Sequence, residues 1–261
     1  MKFYRISIIL LLLISSNVNA QGFSALVSPP RIEGTAKVGT TYREVIEITN
    51  VSDAKAHFNL YTADWTLDAN ASAVFDSKLA PSSCRPWVGI EAKEITLRPR
   101  GKRRYRFEVA IPANATPREC RFAIMVEGDP ETVTGKVAVP VSGRIAVIVY
   151  LAIGDVAANL KIVTTGTKKV GEKKYPAVKV TNTGNAHARL EGYADLVDAK
   201  GKKWTVVPES FPILPGETRL IALVPQVEEN KPAADLAYPV KVSGKLDSGK
   251  NRVPVAFTVS Q

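Results

Sequence analysis

What this sequence lacks narrows its chemistry first. It has two histidines, His57 and His187, and two cysteines, Cys84 and Cys120, in 261 residues. Histidine is the usual general base near neutral pH, and neither one comes with a nucleophile elbow, zinc-ligand spacing, phosphate loop or calcium loop. The cysteines lack the C-x-x-C spacing and the histidine neighbours of a redox or metal site. Grouped carboxylates, Glu91 with Glu94 and Glu228 with Glu229 and Asp235, lie in polar, turn-like surroundings with little apolar around them. Past the first twenty residues no run is apolar enough to span a bilayer, and hardly any segment holds a helical period. These absences argue against catalysis, leave no cofactor to expect and point to an all-β binding protein.

The first residues are of a different kind. Lys2 and Arg5 precede an apolar run from Ile8 to Ile14 and a polar stretch ending Val18-Asn19-Ala20. This is the three-part pattern of a secretory signal peptide, with cleavage expected after Ala20. Loss of Lys2 and Arg5 takes the formal charge from +10 to +8. Much of the remaining positive charge sits between Arg98 and Arg106. With export removing nucleic acid as the usual partner and no base-stacking motif alongside, that stretch reads as solvated charge on a turn and the strand after it. In an oxidising compartment Cys84 and Cys120 are expected to form a disulfide that staples one domain.

The mature chain is long enough for two domains, expected at 21–155 and 156–261 after the leader at 1–20. Short β-branched runs alternate with turn residues, and glycine and proline, 17 of each, act as punctuation. Strands are expected at Phe23 to Ile32, Arg43 to Asn50, His57 to Trp65, Glu91 to Leu97, Arg103 to Ile111, Arg121 to Glu127 and Val137 to Leu151. The second half repeats the first. Each half has a strand ending in Thr-Asn (Thr49-Asn50 and Thr181-Asn182), then a Ser/Gly/Asn turn, then a further strand, expected at Ala188 to Leu196 in the second half. His57 and His187 fall at matching places after that turn and read as surface or strand-edge residues. Trp65, Trp87 and Trp204 read as packing residues. The fold class is two tandem immunoglobulin-like β-sandwich domains after a cleaved signal peptide.

Several strings then carry a resemblance. SPPRIEG (Ser28 to Gly34), EITN (Glu47 to Asn50), TLRPRGKRRYRFEV, CRFAIMVEGDP and a long strand through GRIAVIVY together resemble the periplasmic pilus-assembly chaperones of chaperone-usher systems. The resemblance implies two sandwiches meeting at an angle, with a pilin or fimbrial subunit held in the cleft and an outer-membrane usher as a further partner. It implies that the last strand of the first domain is lent to the subunit, with Val137, Val139 and Val141 as donor side chains and Ile145 onward filling their own core. It also implies a pair of basic residues that fix the subunit's terminal carboxylate, for which Arg31 and Arg144 are the matches. The chain departs from the family where Ile148-Val-Tyr-Leu-Ala-Ile153 stands in place of an aromatic-Arg-Pro segment. Pro140 also removes one N–H from the donor stretch. The alternative is a non-catalytic extracytoplasmic adhesion or cell-wall binding module on the same fold.

Overall fold

The computed structural model describes residues 23–133, 139–249 and 251–260. The expected leader at 1–20 and Val137 lie outside them. Among the described residues the secondary structure is strand, apart from a 3₁₀ turn at Arg85–Trp87. The first domain contains β1 (Ala25–Ser28), β2 (Arg31–Ala36), β3 (Thr41–Asn50), β4 (Ala56–Leu67), β5 (Ala73–Asp76), β6 (Val88–Ile90) and β7 (Glu94–Leu97). It continues through β8 (Lys102–Ala110), β9 (Arg118–Gly128), β10 (Glu131–Val133), β11 (Val139–Val141) and β12 (Arg144–Ile153).

One sheet runs β1-β3-β8-β6, the other β2-β12-β9-β4-β5 with β7 also on β4, and β10-β11 form a separate two-stranded ribbon. The alternation of β8 explains how the basic stretch coexists with a core. Tyr105, Phe107 and Val109 are buried between the sheets, while Arg104, Arg106 and Glu108 face water. The charges are spent locally, Arg100 on Asp53, Lys102 on Glu47 and Arg103 on Glu91.

The second domain contains β13 (Leu160–Val170), β14 (Lys173–Asn182), β15 (Ala194–Val197), β16 (Lys203–Pro208), β17 (Thr218–Pro225), β18 (Val240–Ser248) and β19 (Asn251–Val259). They pair in the order β13-β14-β17-β16-β15-β18-β19, and β13 also packs against β19. This folds the strands around a core that includes Val178, Leu196, Ile221 and Val242. The two domains are immunoglobulin-like sandwiches in tandem, joined by residues 154–159.

The internal repeat has a physical basis. Asn50 ends β3 fully buried, and its Nδ2 donates to the carbonyls of Ala54 and Arg98 at 2.7 and 3.1 Å while its Oδ1 accepts from the Ser52 N–H. Asn182 ends β14 in the same way: Nδ2 donates to the carbonyls of Ala186 and Ile213, both at 2.8 Å, and Oδ1 accepts from the Gly184 N–H. Each asparagine ties the turn after its strand to a segment opposite. Both amides are themselves fully buried, so these bonds satisfy groups that water cannot reach.

Three expected strands differ. Phe23 to Ile32 divides into β1 and β2, which serve different sheets. Val137 to Leu151 is interrupted at Ser142-Gly143, where any Cβ on Gly143 would overlap the Phe23 side chain. Gly128 opposite is also crowded by Phe23, so the two glycines form the notch in which that ring sits against Phe58. Ala188 to Leu196 keeps only Ala194 onward as strand, with isolated bridges at Ala188 and Glu191.

The disulfide is present, Cys84 to Cys120, with Cα atoms 5.9 Å apart and a sequence separation of 36. Replacing both cysteines by serine is expected to lower unfolding stability by about 4 kcal/mol, from the entropy of the released loop, as read by denaturant titration. Asn50→Ala and Asn182→Ala are each expected to cost about 2 to 3 kcal/mol in the same measurement. Each removes a buried amide that makes two hydrogen bonds to backbone carbonyls and accepts one from a backbone N–H.

Candidate functional site

The outer face of the six-stranded sheet does not behave as a solvated surface. Register places its side chains in rows: Tyr61, Met125 and Ala146; then Ala63, Ala123, Ile148 and Arg31; then Arg121, Tyr150 and Glu33. Strands buried on both faces read as continuous apolar runs, and β9 and β12 do so. Trp65 stacks edge-on to Tyr150 with centroids 5.3 Å apart, and this outer cluster is completed by Leu214 of the second domain. An apolar sheet face therefore extends from the domain seam out along the first domain.

The seam itself is polar and tightly built. His187 Nδ1 lies 2.6 Å from Glu119 Oε2, and the same oxygen accepts the His187 backbone N–H. Arg189 Nη1 lies 3.2 Å from His187 Nε2, so the ring is held between the guanidinium on one side and Glu119 on the other. The imidazole also stacks on Tyr150, centroids 3.7 Å apart. Arg219 reaches back from β17 to the carbonyls of Leu67 and Asp68. The expectation of a surface or strand-edge place for His187 is thus corrected. Its side chain is 10% exposed, because the segment that was expected to be strand from Ala188 turns instead against the first domain.

Among the described residues, three buried polar side-chain atoms lack a hydrogen-bond partner: Trp65 Nε1, Glu119 Oε1 and Arg121 Nη1. All three belong to residues at this seam. Glu119 Oε1 and Arg121 Nη1 face each other at 3.5 Å, an ion pair without hydrogen-bond geometry.

The sequence-derived candidates fall on and beside this face. Arg31 opens β2 and stands opposite Ile148, ion-paired through Nε with Glu33 Oε1 at 2.9 Å. Arg144 opens β12 opposite Glu127, whose Oε2 accepts the Tyr61 hydroxyl at 2.7 Å. Burial, then the Glu127 carboxylate, raises the Tyr61 pKa, and Arg144 works against both. Both arginines project from the outer face, on the parity opposite Val147 and Val149, which are fully buried in the core. They are not neighbours: four positions along β12 separate Arg144 from Ile148, about 13 Å at strand rise.

Val139 and Val141 form β11 with Pro140, paired to β10 from Glu131↔Val141 to Val133↔Val139, and Val141 is 53% exposed. Beyond them β12 is paired with β9 from Arg144 on, but β2 joins its other side only from Ile148. Among the described residues, Val139–Val141 and 144–147 therefore keep one backbone edge unpaired.

Sequence reasoning missed Glu33, Glu119, Tyr150 and Arg189. Glu33 had a signal, since it shares the parity of Arg31 on one strand. The other three meet only through the packing of the two domains.

Glu119→Ala is expected to destabilise the docked pair of domains by about 3 kcal/mol, since it strips the largely buried His187 and the partly buried Arg121 of their carboxylate. The readout is unfolding stability together with a larger radius of gyration in small-angle scattering.

No protein-family model matches the chain, and no curated protein does. Solved structures similar to it include the YadV chaperone, at 10% identity and a TM-score of 0.48 over 90% of this chain and 99% of that one. The class 5 fimbriae chaperone CfaA is similar at 12% identity and a TM-score of 0.47, over 91% of this chain and 100% of that one. The CupB2 chaperone of Pseudomonas aeruginosa is similar at 11% identity and a TM-score of 0.47, over 90% and 100%.

Proposed function

We propose that this protein is a periplasmic chaperone that caps an incomplete fimbrial subunit, lending the subunit the strand it lacks. The observation that carries this reading is the half-paired edge formed by Val139–Val141 and the start of β12. Unpaired N–H and C=O groups on a sheet edge are a template for another chain, and folded proteins ordinarily blunt or cover such edges. Here the edge comprises seven strand positions in two pieces, Val139–Val141 and 144–147, either side of the Ser142-Gly143 break, with an exposed valine at the end of the first piece. Strand addition of this kind takes affinity from the ladder and specificity from alternate side chains.

The donor side chains in this reading are Val137, Val139 and Val141. Ile145 and the residues after it serve the chaperone's own core. The adjoining apolar face, from Tyr61 and Met125 to Ile148, is where the rest of the subunit lies. Arg31 and Arg144 flank that face and hold carboxylate groups of the subunit by charge-assisted hydrogen bonds. Export by a cleaved signal peptide, pilin-type subunits as clients and an outer-membrane usher as the receiving partner belong to the same proposal. It involves no catalytic step and no cofactor.

Co-expression of the tagged mature protein with candidate pilin subunits, followed by affinity purification, tests this. The wild type is expected to retain a subunit. Val141→Asp places a charge on the donated edge outside both cores, so its melting curve should match wild type while retention falls at least tenfold. A Val141→Asp protein that retains subunits as well as wild type would contradict the edge as the capping element.

A further inference from the structure

The seam between the domains already holds a carboxylate of its own. A single oxygen, Glu33 Oε1, lies 2.9 Å from Arg31 Nε, 3.4 Å from Arg189 Nη1 and 3.7 Å from His187 Nε2. Arg31 comes from the first domain, Arg189 and His187 from the second. The guanidinium of Arg189 also lies over the Tyr150 ring at 5.9 Å.

Two further features mark this as a place where a carboxylate can exchange. Arg31 and Glu33 are each about half exposed, at 51% and 48%, whereas the Arg189 side chain is held at 11%. The anchored cation is thus fixed, while the resident carboxylate is open to solvent. Tyr150, opposite Glu33 in the sheet register, is 4% exposed, and its hydroxyl is not among the buried polar atoms left without a partner. Burial pushes that hydroxyl up to about 12, with Arg189 and Arg31 among the charges acting on it, so it stays a donor at any physiological pH. A carboxylate arriving between Arg31 and Arg189 therefore meets two guanidiniums and has a protonated phenol at hand.

We propose that Arg31 shares its carboxylate-holding role with Arg189 across the domain seam, and that Glu33 occupies this two-domain site as a displaceable resident until a client's carboxylate takes its place. The proposal rests on the capping reading for its client and adds to it a residue from the second domain and a built-in competitor. Exchange leaves the local charge balance of the arginine pair unchanged, one carboxylate for another. The internal occupant is tethered two residues from Arg31, so it sets a threshold: only a ligand held by additional contacts, such as a strand on the free edge, displaces it.

The test uses the purified mature protein and a synthetic strand peptide, acetyl-Ala-Val-Thr-Val-Tyr, prepared with either a free terminal carboxylate or a carboxamide. Binding is measured by calorimetry for wild type, Glu33→Ala, and Glu33→Ala combined with Arg31→Ala or with Arg189→Ala. Glu33→Ala is expected to prefer the acid over the amide by at least tenfold and to bind the acid at least fivefold more tightly than wild type does. Both double variants are expected to lose the preference. Arg31 is exposed, so its double variant keeps the test valid if Arg189→Ala disturbs the seam. Equal affinity of Glu33→Ala for the two peptides, or no binding of the acid at millimolar concentration, would overturn the proposal.

A preference that survives Arg189→Ala would remove the second domain from the site and overturn it in that form. Subunit capture in co-expression is scored separately. Capture without peptide discrimination would sink the resident carboxylate alone, and discrimination without capture would sink the capping reading.

Discussion

The arrangement turns on the uneven pairing of β12. One side is hydrogen-bonded to β9 along ten residues, while the other meets β2 only from Ile148 to Ile153. The second half of the strand is thus locked between neighbours, with Val147, Val149, Leu151 and Ile153 filling the core of the first domain. The first half and the β11 segment before it have no such closure among the described residues. Because the same strand is both core and edge, its position is held rigidly where it is buried. The unpaired start of β12 continues directly from that buried half and stays paired to β9 on its other side.

The same strand organises the seam. Tyr150 points away from the core and supports Trp65 on one side and His187 on the other. Glu119, on the neighbouring β9, then takes two hydrogen bonds from His187. The domains are thus fixed to one another through the outer face of the sheet that carries the free edge. The orphan polar atoms of Trp65, Glu119 and Arg121 show that this contact is less completely satisfied than either core. Unpaired buried groups are costly, so the seam is where the molecule has most to gain from a small rearrangement.

Much of the fold was legible in the sequence, and for identifiable reasons. The alternation of Tyr105, Phe107 and Val109 with Arg104, Arg106 and Glu108 fixes a strand and both of its faces. The repeated Thr-Asn ending marks the buried asparagine that closes each domain's turn, and the cysteine pair forms the disulfide. What was not legible depends on contacts distant in sequence. Gly143 interrupts a strand because Phe23, some 120 residues earlier, needs the space. His187 and Arg189 leave the strand pattern because the first domain offers Glu119, Tyr150 and Glu33 as partners. No local signal around His187 carries that information. Parity along β12 puts Arg144 on the face opposite the valines, but the separation of Arg31 from Arg144 follows only from the parallel register with β2.

The central claim is that the edge running from Val139 to Val147 receives a strand from the client. Amide hydrogen exchange on the purified complex with a captured subunit, compared with the free protein, addresses it residue by residue. The account predicts that amides in this stretch pointing away from β9 and β10 exchange rapidly in the free protein and become strongly protected in the complex, Pro140 having none to report. Unchanged exchange along that edge in a complex that is demonstrably formed would contradict it.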